Sequence, residues 1–149
     1  MSFNASEVAE FIINWLDDYS AKSGVDSFVV GVSGGIDSAV TASLCARTGR
    51  QTFIVKMPIH QNLSEVERSD ELISSLVSEY SNVTALEVSL TEVYEAVKSS
   101  LPETQDKSGG LAMANTRARL RMTTLYALAA ERGALVVGTG NKIEDFGVG

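Results

Sequence analysis

This chain has little cysteine, little positive charge and no long apolar run. Its one cysteine excludes an internal disulfide framework, and the lack of a long apolar run predicts no membrane-spanning helix. Lysine and arginine number 12 against 19 acidic residues, so the net charge is −7. Because nucleic-acid-binding modules are usually basic, we expect no nucleic-acid partner, and we expect no membrane partner either. No signal-peptide pattern is present, so we expect a cytoplasmic protein.

What the chain does contain is typical of a folded domain. Hydrophobic residues make up 44% and charged residues 21% of its 149 residues, which indicates a globular protein with a sizeable core. After the last predicted strand, the sequence reaches Gly149 without a further helix or strand pattern to close the fold. We therefore expect residues 1–149 to be a single domain whose C-terminal portion continues beyond Gly149.

Apolar, strand-like runs alternate with segments of helical periodicity along the chain. Strands are predicted at residues 27–32, 52–57, 85–90 and 134–138. Helices are predicted from residue 8 to an end at Ser23 and Gly24, at residues 38–47, 91–100 and 111–132, and from a Ser64–Glu67 capping box onwards. This order predicts an α/β fold, a doubly wound parallel sheet with helices on both faces. The polar segment 102–110 is predicted to be a loop, either near a ligand or a plain surface linker.

The most specific segment lies between the first predicted strand and the helix after it. An apolar run stops at Ser33 and two glycines, and then Asp37 and Ser38 begin a helical pattern. Glycines let the backbone approach a ligand closely, and the unpaired amides at a helix start suit phosphate. The charge of Asp37 would repel phosphate unless a Mg²⁺ ion lay between them. We therefore expect the turn Ser33–Ser38 to bind pyrophosphate and a metal ion, and we call this turn the cradle.

This segment is not a Walker loop, because no lysine stands near Ser38, and it lacks the Gly-x-Gly-x-x-Gly fingerprint of dinucleotide-binding folds. Residues Ser33–Ser38 instead resemble the Ser-Gly-Gly-x-Asp-Ser signature of the N-type ATP pyrophosphatases, which cleave ATP between its α and β phosphates. The resemblance implies a Rossmann-like, adenine nucleotide alpha hydrolase-like fold. The alternative is an ordinary glycine turn in which Asp37 caps a helix.

Three arginines lie within five residues of the last predicted helix. Arg117 and Arg121 are four residues apart and share a face, whereas Arg119 is rotated by about 200° from Arg117. The three arginines therefore cannot all have one role. The flat guanidinium suits carboxylate or phosphate recognition, and the alternative is a solvated face that pairs with acidic neighbours.

A tight turn with hydroxyl, amide and carboxylate groups follows the last predicted strand, at residues Thr139–Glu144. Mg²⁺ typically takes one or two protein carboxylates together with phosphates and water. Glu144 is thus a candidate to complete an oxygen shell with Asp37, and Asp145 is the alternative.

The Asn-Thr-Arg-Ala-Arg-Leu-Arg helix and the Gly-Thr-Gly-Asn-Lys-Ile-Glu turn resemble those of the ammonia-dependent NAD synthetase family. The resemblance implies that ATP and ammonia convert deamido-NAD to NAD through an acyl-adenylate, with AMP and pyrophosphate released, in a homodimer. It implies Mg²⁺ ligands Asp37 and Glu144, and deamido-NAD contacts Arg119 and Asn115. It implies ATP contacts at Gly31, Val32, Ser33, Gly34, Gly35, Ile36, Asp37, Ser38 and Thr139.

Other functions remain open at this point. One rival is another N-type ATP pyrophosphatase, either similar to GMP synthetase or acting on tRNA, although the acidic charge disfavours tRNA. A second is a nucleotide-binding fragment without catalysis. A glutamine-dependent synthetase would need a further domain, and Cys45 lacks the surrounding residues of an amidase nucleophile, so we expect free ammonia as the nitrogen donor.

Overall fold

A computed structural model describes residues 4–61, 63–102 and 110–140. The helices are α1 (Ala5–Ser23), α2 (Ile36–Arg47), α3 (Leu63–Glu79), α4 (Thr91–Ser100) and α5 (Leu111–Arg132). The strands are β1 (Ser27–Val32), β2 (Gln51–Lys56), β3 (Val83–Glu87) and β4 (Leu135–Val136). Within these ranges, no helix combines the length and apolar character needed to cross a membrane.

The four strands form one parallel sheet in the order β3-β2-β1-β4. At its centre, Val29 of β1 is aligned with Phe53 of β2 on one side and Val136 of β4 on the other. The chain proceeds from β1 to β2 and β3 in one direction and then returns to place β4 on the opposite side of β1. The switch point in strand order, where ligands bind in such sheets, therefore lies between β1 and β4.

Helices cover both faces of the sheet, which confirms the predicted doubly wound fold. On one face, Phe28, Val30 and Ile54 pack in a core with side chains of α1, α2 and α3. On the other face, Val29 and Val55 pack in a second core with side chains of α4 and α5. Alternate residues of β1 thus contribute to opposite cores, because successive side chains of a strand point to opposite sides.

The boundaries of some elements differ from the sequence prediction. Helix α3 begins at Leu63, so Ser64 lies within its first turn and does not start the helix as a cap. Strand β3 begins at Val83 rather than at residue 85 and ends at Glu87. The backbone amides of Val88 and Leu90 still donate to carbonyl oxygens of the β2 side, so the chain stays extended beside β2 after the ladder ends. Most of the predicted loop 102–110 lies outside the described residues.

Cys45 lies on α2 with no exposed surface. Burial raises the pKa of its thiol to about 12 from the ordinary value of 9.0. The folded thiol therefore stays protonated at pH values at which the unfolded thiol ionises. Its contribution to stability is fully present below pH 9 and is lost as the pH rises through the folded pKa.

We accordingly expect Cys45 to resist alkylation by iodoacetamide at pH 8 in the native protein and to react rapidly in denaturant, because the thiolate is the nucleophile. Mass spectrometry of the alkylated chain measures this. The Cys45→Ala variant is the control for the stability effect, since its free energy of unfolding should decline less steeply above pH 9 than that of the wild type. Equal alkylation rates with and without denaturant would contradict the prediction.

Candidate active site

The turn between β1 and α2 is closed by hydrogen bonds involving two serine hydroxyls. The backbone amide of Ser33 donates to Oγ of Ser38 over 3.2 Å, and that hydroxyl donates to the carbonyl oxygen of Gly35 over 3.0 Å. The amide of Gly35 donates in turn to Oγ of Ser33 over 3.3 Å. Gly35 is the N-cap of α2 and has no side chain to offer the first amides of that helix. This helix start therefore suits a phosphate group, as predicted for the cradle.

Gly34 is the position of the cradle where only glycine fits. Its φ of +81° lies in the left-handed region, which side chains disfavour. A Cβ atom on Gly34 would also lie 2.8 Å from the carbonyl oxygen of Glu65 and 3.3 Å from the amide of Ser69, both in the backbone of α3. The cradle is thus packed directly against the first turns of α3.

The buried side chain of Lys56 holds α3 beside this cradle. Nζ of Lys56, at the end of β2, donates to Oδ1 of Asp70 on α3 over 2.5 Å and lies 3.7 Å from Oε2 of Glu87. Its hydrogen bond with Asp70 raises the pKa of Lys56, against the opposing effect of desolvation. The ion pair links α3 to the carboxyl end of β2, and so helps to set the position of the α3 backbone that faces Gly34.

A cavity of about 570 Å³ opens next to the cradle, beyond the carboxyl ends of β1 and β2. Ser33, Gly34 and Gly35 form one wall of this cavity, and Arg117 and Arg121 of α5 also line it. The remaining lining residues come from the chain after β2 and from α3: Ile59, His60, Gln61, Glu65 and Arg68. The cavity therefore brings three guanidinium groups and one carboxylate to the glycine cradle of an otherwise acidic protein.

The two α5 arginines of this cavity are held by different contacts. Nε of Arg121 donates to the carbonyl oxygen of Met57 over 3.1 Å. The guanidinium of Arg117 lies over the ring of Tyr94, 4.8 Å from its centroid. Burial lowers the pKa of Arg121, and the positive charge of Arg117 lowers it further, while Glu65 opposes the shift. The two guanidinium groups thus repel each other at the edge of the cavity.

His60 also lies at the edge of the cavity, in the chain after β2. Its φ is +48°, and it is the one residue other than glycine with a positive φ within the described ranges. Its Nε2 lies 2.8 Å from Oε1 of Glu95, and its ring meets that of Tyr94 edge-on at 6.0 Å. His60 is exposed, and its contacts with Tyr94 and Glu95 join the chain after β2 to α4.

Two further cavities meet at the carboxyl end of β4, and both include Thr139. One cavity, of about 430 Å³, lies between β1 and α5 and is lined by Gly31 and Tyr126 among others. The other, of about 360 Å³, lies between α1 and α2, and Asp37 and Thr41 line it. The end of β4 is therefore adjacent to the cradle on both faces of the sheet, as the predicted switch point requires.

The structure brings together most of the residues predicted to bind the nucleotide. The cradle, the chain after β2 and Thr139 meet at one edge of the sheet. Arg119 and Asn115 are exposed on α5 and do not line the cavity that holds Arg117 and Arg121. Glu144 lies outside the described residues. The prediction that Arg119 faces away from Arg117 and Arg121 is thus confirmed.

Sequence reasoning did not single out Glu65 or Arg68, which line the cavity, or Tyr94, which lies against Arg117 outside its lining. Arg68 and Tyr94 lie on α3 and α4 amid ordinary helical patterns, and no local feature marks them. Gln61 lies in the chain after β2, and its position just beyond the end of a strand is the one feature of the sequence that marks it as a site residue.

The described residues hold no cluster of three or more histidine, cysteine, aspartate or glutamate side chains able to bind a metal ion. Asp37 is exposed in the first turn of α2, next to the cradle. One carboxylate beside a turn that suits phosphate fits Mg²⁺, which usually takes its other ligands from substrate phosphates and water.

A family profile described as NAD synthase matches residues 8–149. The ammonia-dependent NAD synthetase of Carboxydothermus hydrogenoformans is 37% identical over 146 residues, which span 97% of this chain and 58% of that protein. The structure of NMN synthetase from Francisella tularensis has a TM-score of 0.84 and 35% identity, over 96% of this chain and 57% of that one.

The ammonia-dependent NAD synthetase of Campylobacter jejuni, solved with a nitrate ion, has a TM-score of 0.83 and 29% identity. That match covers 99% of this chain and 62% of the other. The chain thus spans little more than half the length of these relatives. Since the family profile extends over nearly all of its residues, the chain belongs to the NAD synthase family.

Proposed function

We propose that this chain carries the nucleotide site of an enzyme that amidates deamido-NAD with ammonia and converts ATP to AMP and pyrophosphate. The observation that carries the proposal is the cavity in which the glycine cradle faces Arg117 and Arg121. Arginine pairs and helix-start amides recognise phosphates, and the family match narrows the reaction to the synthesis of a nicotinamide nucleotide.

A carboxylate is a poor acylating group, so the reaction first needs a leaving group. The nicotinate carboxylate attacks the α phosphorus of ATP, the bond to the β phosphate breaks, and pyrophosphate leaves with the bonding electron pair. Ammonia then attacks the acyl carbon, loses a proton and displaces AMP. The protein contributes by positioning the reactants and by stabilising the negative charge that develops on pyrophosphate.

Residues at different places around the cavities have different roles in this reaction. The cradle Ser33–Gly35 and the start of α2 hold phosphate oxygens, while Arg117 and Arg121 offset their charge from the other side of the cavity. Thr139, at the end of β4, lies where the ribose or adenine part of ATP would extend. Mg²⁺ would be held by Asp37 together with Glu144, and it would neutralise phosphate charge when bound.

We assign deamido-NAD to the exposed side of α5, where Arg119 and Asn115 lie, near a second subunit of a homodimer. Large apolar side chains are exposed along the same helix at Leu111, Met122 and Tyr126, which supports burial against a partner. Sedimentation equilibrium tests the dimer. Free ammonia is the proposed nitrogen donor, because the relatives from Carboxydothermus hydrogenoformans and Campylobacter jejuni are named ammonia-dependent synthetases.

A second candidate substrate is nicotinate mononucleotide. The relative from Francisella tularensis, at 35% identity and a TM-score of 0.84, is named an NMN synthetase. Its product differs from NAD by the adenylate half of the molecule, and the amidated carboxylate is the same. The cradle and its arginines serve either acceptor, so the choice between them depends on residues that contact the rest of the acceptor.

The test is product analysis after incubation with ATP, Mg²⁺, ammonium and either deamido-NAD or nicotinate mononucleotide. It is run on the 149-residue chain and on a chain extended at its C-terminus to the length of the relatives. We expect AMP and NAD from deamido-NAD, at least with the extended chain. Turnover of the mononucleotide alone would favour the second candidate, and no AMP with either acceptor would reject the proposed function.

The same assay tests the role of Arg119. Arg119→Ala should raise KM for deamido-NAD by about tenfold and leave KM for ATP unchanged, because a lost charged hydrogen bond is worth roughly 1.5–3 kcal/mol. An equal rise in both constants would contradict a role in binding deamido-NAD.

A further inference from the structure

We propose that Arg117 binds the terminal pyrophosphate group of the nucleoside triphosphate. We propose further that Tyr94 positions the guanidinium of Arg117. The inference rests on the proposed function only for the identity of the nucleotide. Arg117 lines the same cavity as the predicted phosphate cradle, and the ring of Tyr94 supports its guanidinium.

The first observation is that no described residue neutralises the charge of Arg117. Among the residues that the structure describes, Arg117 forms no ion pair, and its Nε atom is buried with no hydrogen-bond partner. A buried, unpaired polar atom is costly, so an external partner at this place would stabilise it.

The second observation is that Arg117 and Arg121 lie close enough for their charges to interact. The positive charge of Arg117 helps to lower the pKa of Arg121. An anion between two such guanidinium groups relieves their repulsion, and the cavity they share is lined on its other side by Gly34 and Gly35. A pyrophosphate group held by the cradle would therefore face both arginines.

The third observation concerns how Arg117 is held. Its guanidinium carbon lies 4.8 Å from the centroid of the Tyr94 ring, and Tyr94 is only 4% exposed within the core beneath α4 and α5. That ring also forms a T-shaped contact with the ring of His60, which is itself hydrogen-bonded to Glu95. A cation–π contact orients a guanidinium without neutralising its charge, so its N–H groups stay available to phosphate oxygens.

Isothermal titration calorimetry of the 149-residue chain with inorganic pyrophosphate tests the proposal. Arg117→Met should weaken pyrophosphate and ATP by about tenfold or more, since charged hydrogen bonds of this kind are worth roughly 1.5–3 kcal/mol. Arg47→Met is the matched control. It removes the same charge from an exposed position at the end of α2, and should change both affinities by less than about twofold.

Tyr94 is tested by two substitutions that differ in one property. Tyr94→Phe keeps the ring face and should bind pyrophosphate as the wild type does. Tyr94→Leu removes the ring and should weaken pyrophosphate by about threefold to tenfold. In the Arg117→Met background, Tyr94→Leu should have no further effect on pyrophosphate affinity, because the ring acts through Arg117. Tyr94→Met serves in its place if the leucine variant does not fold, as judged by circular dichroism.

Several results would overturn the proposal. They are an absence of pyrophosphate binding by the wild type, full affinity in Arg117→Met, or a loss confined to deamido-NAD. An equal loss from Tyr94→Leu with and without Arg117 would show that the ring has a merely structural role. These results are independent of the activity assay, because a chain that forms no NAD yet loses pyrophosphate affinity with Arg117→Met rejects the proposed reaction and retains this site.

Discussion

Replacing Gly34 by alanine is expected to abolish ATP binding and to lower the free energy of unfolding by about 2–4 kcal/mol. Two costs combine at this position. The φ of +81° strains any residue with a Cβ atom, and that atom would lie 2.8 Å from the carbonyl oxygen of Glu65. Because the obstructing atom belongs to the backbone of α3, it cannot rotate away, and either the cradle or the helix must move.

Alanine variants of two other glycines measure the cost of backbone strain without a steric clash. Gly24 and Gly133 have φ values of +69° and +58°, and a Cβ atom at either would meet nothing within 4 Å. Their alanine variants should therefore lose only about 1 kcal/mol, the cost of the left-handed backbone. Urea denaturation of the three variants measures the stabilities, and calorimetry with ATP measures binding.

A Gly34→Ala variant no less stable than Gly24→Ala would show that α3 can withdraw from the cradle. ATP binding by a folded Gly34→Ala variant at wild-type strength would show in addition that the conformation of this turn is not needed for the nucleotide. Either result would contradict the close packing of the cradle on α3 as the reason for glycine at this position.

Asp37→Asn is expected to reduce Mg²⁺-dependent formation of AMP and pyrophosphate by about 100-fold or more, with little change in stability. The substitution keeps the shape of the side chain and removes its charge. Asp37 is exposed in the first turn of α2, where the favourable interaction of a carboxylate with a helix start is worth about 0.3–1 kcal/mol, so a small loss of stability is expected. Pyrophosphate release from ATP in the presence of acceptor and ammonium measures the effect.

Asp18→Asn provides the control, since Asp18 is an exposed carboxylate on α1. It should leave both turnover and its dependence on Mg²⁺ unchanged. If Asp37→Asn retained wild-type turnover at the same Mg²⁺ concentration, Asp37 would be removed from the metal site. A parallel loss of stability and activity in Asp37→Asn would instead assign it a role in the start of α2.

Local patterns were sufficient to predict the architecture and the centre of the site. The β-branched run of β1 and the Ser-Gly-Gly turn after it are contiguous in sequence, so their chemistry could be interpreted before the fold was known. The shared face of Arg117 and Arg121 followed from the period of an α-helix alone. Helix α3 was located correctly, but its first residue was not, because helix ends depend on capping contacts that sequence patterns mark poorly.

The sequence by itself determined the alternation of strands and helices, the cradle and the pairing of two arginines, since each depends on residues a few positions apart. Only the tertiary structure decided that Gly34 packs against α3, that Tyr94 supports Arg117, and that Arg68 lines the cavity. These contacts lie on both faces of the sheet, since Tyr94 and Arg117 belong to α4 and α5 on one face and Arg68 belongs to α3 on the other. They form because the parallel strands all end at one edge, and the helices and loops there meet around the same cavity.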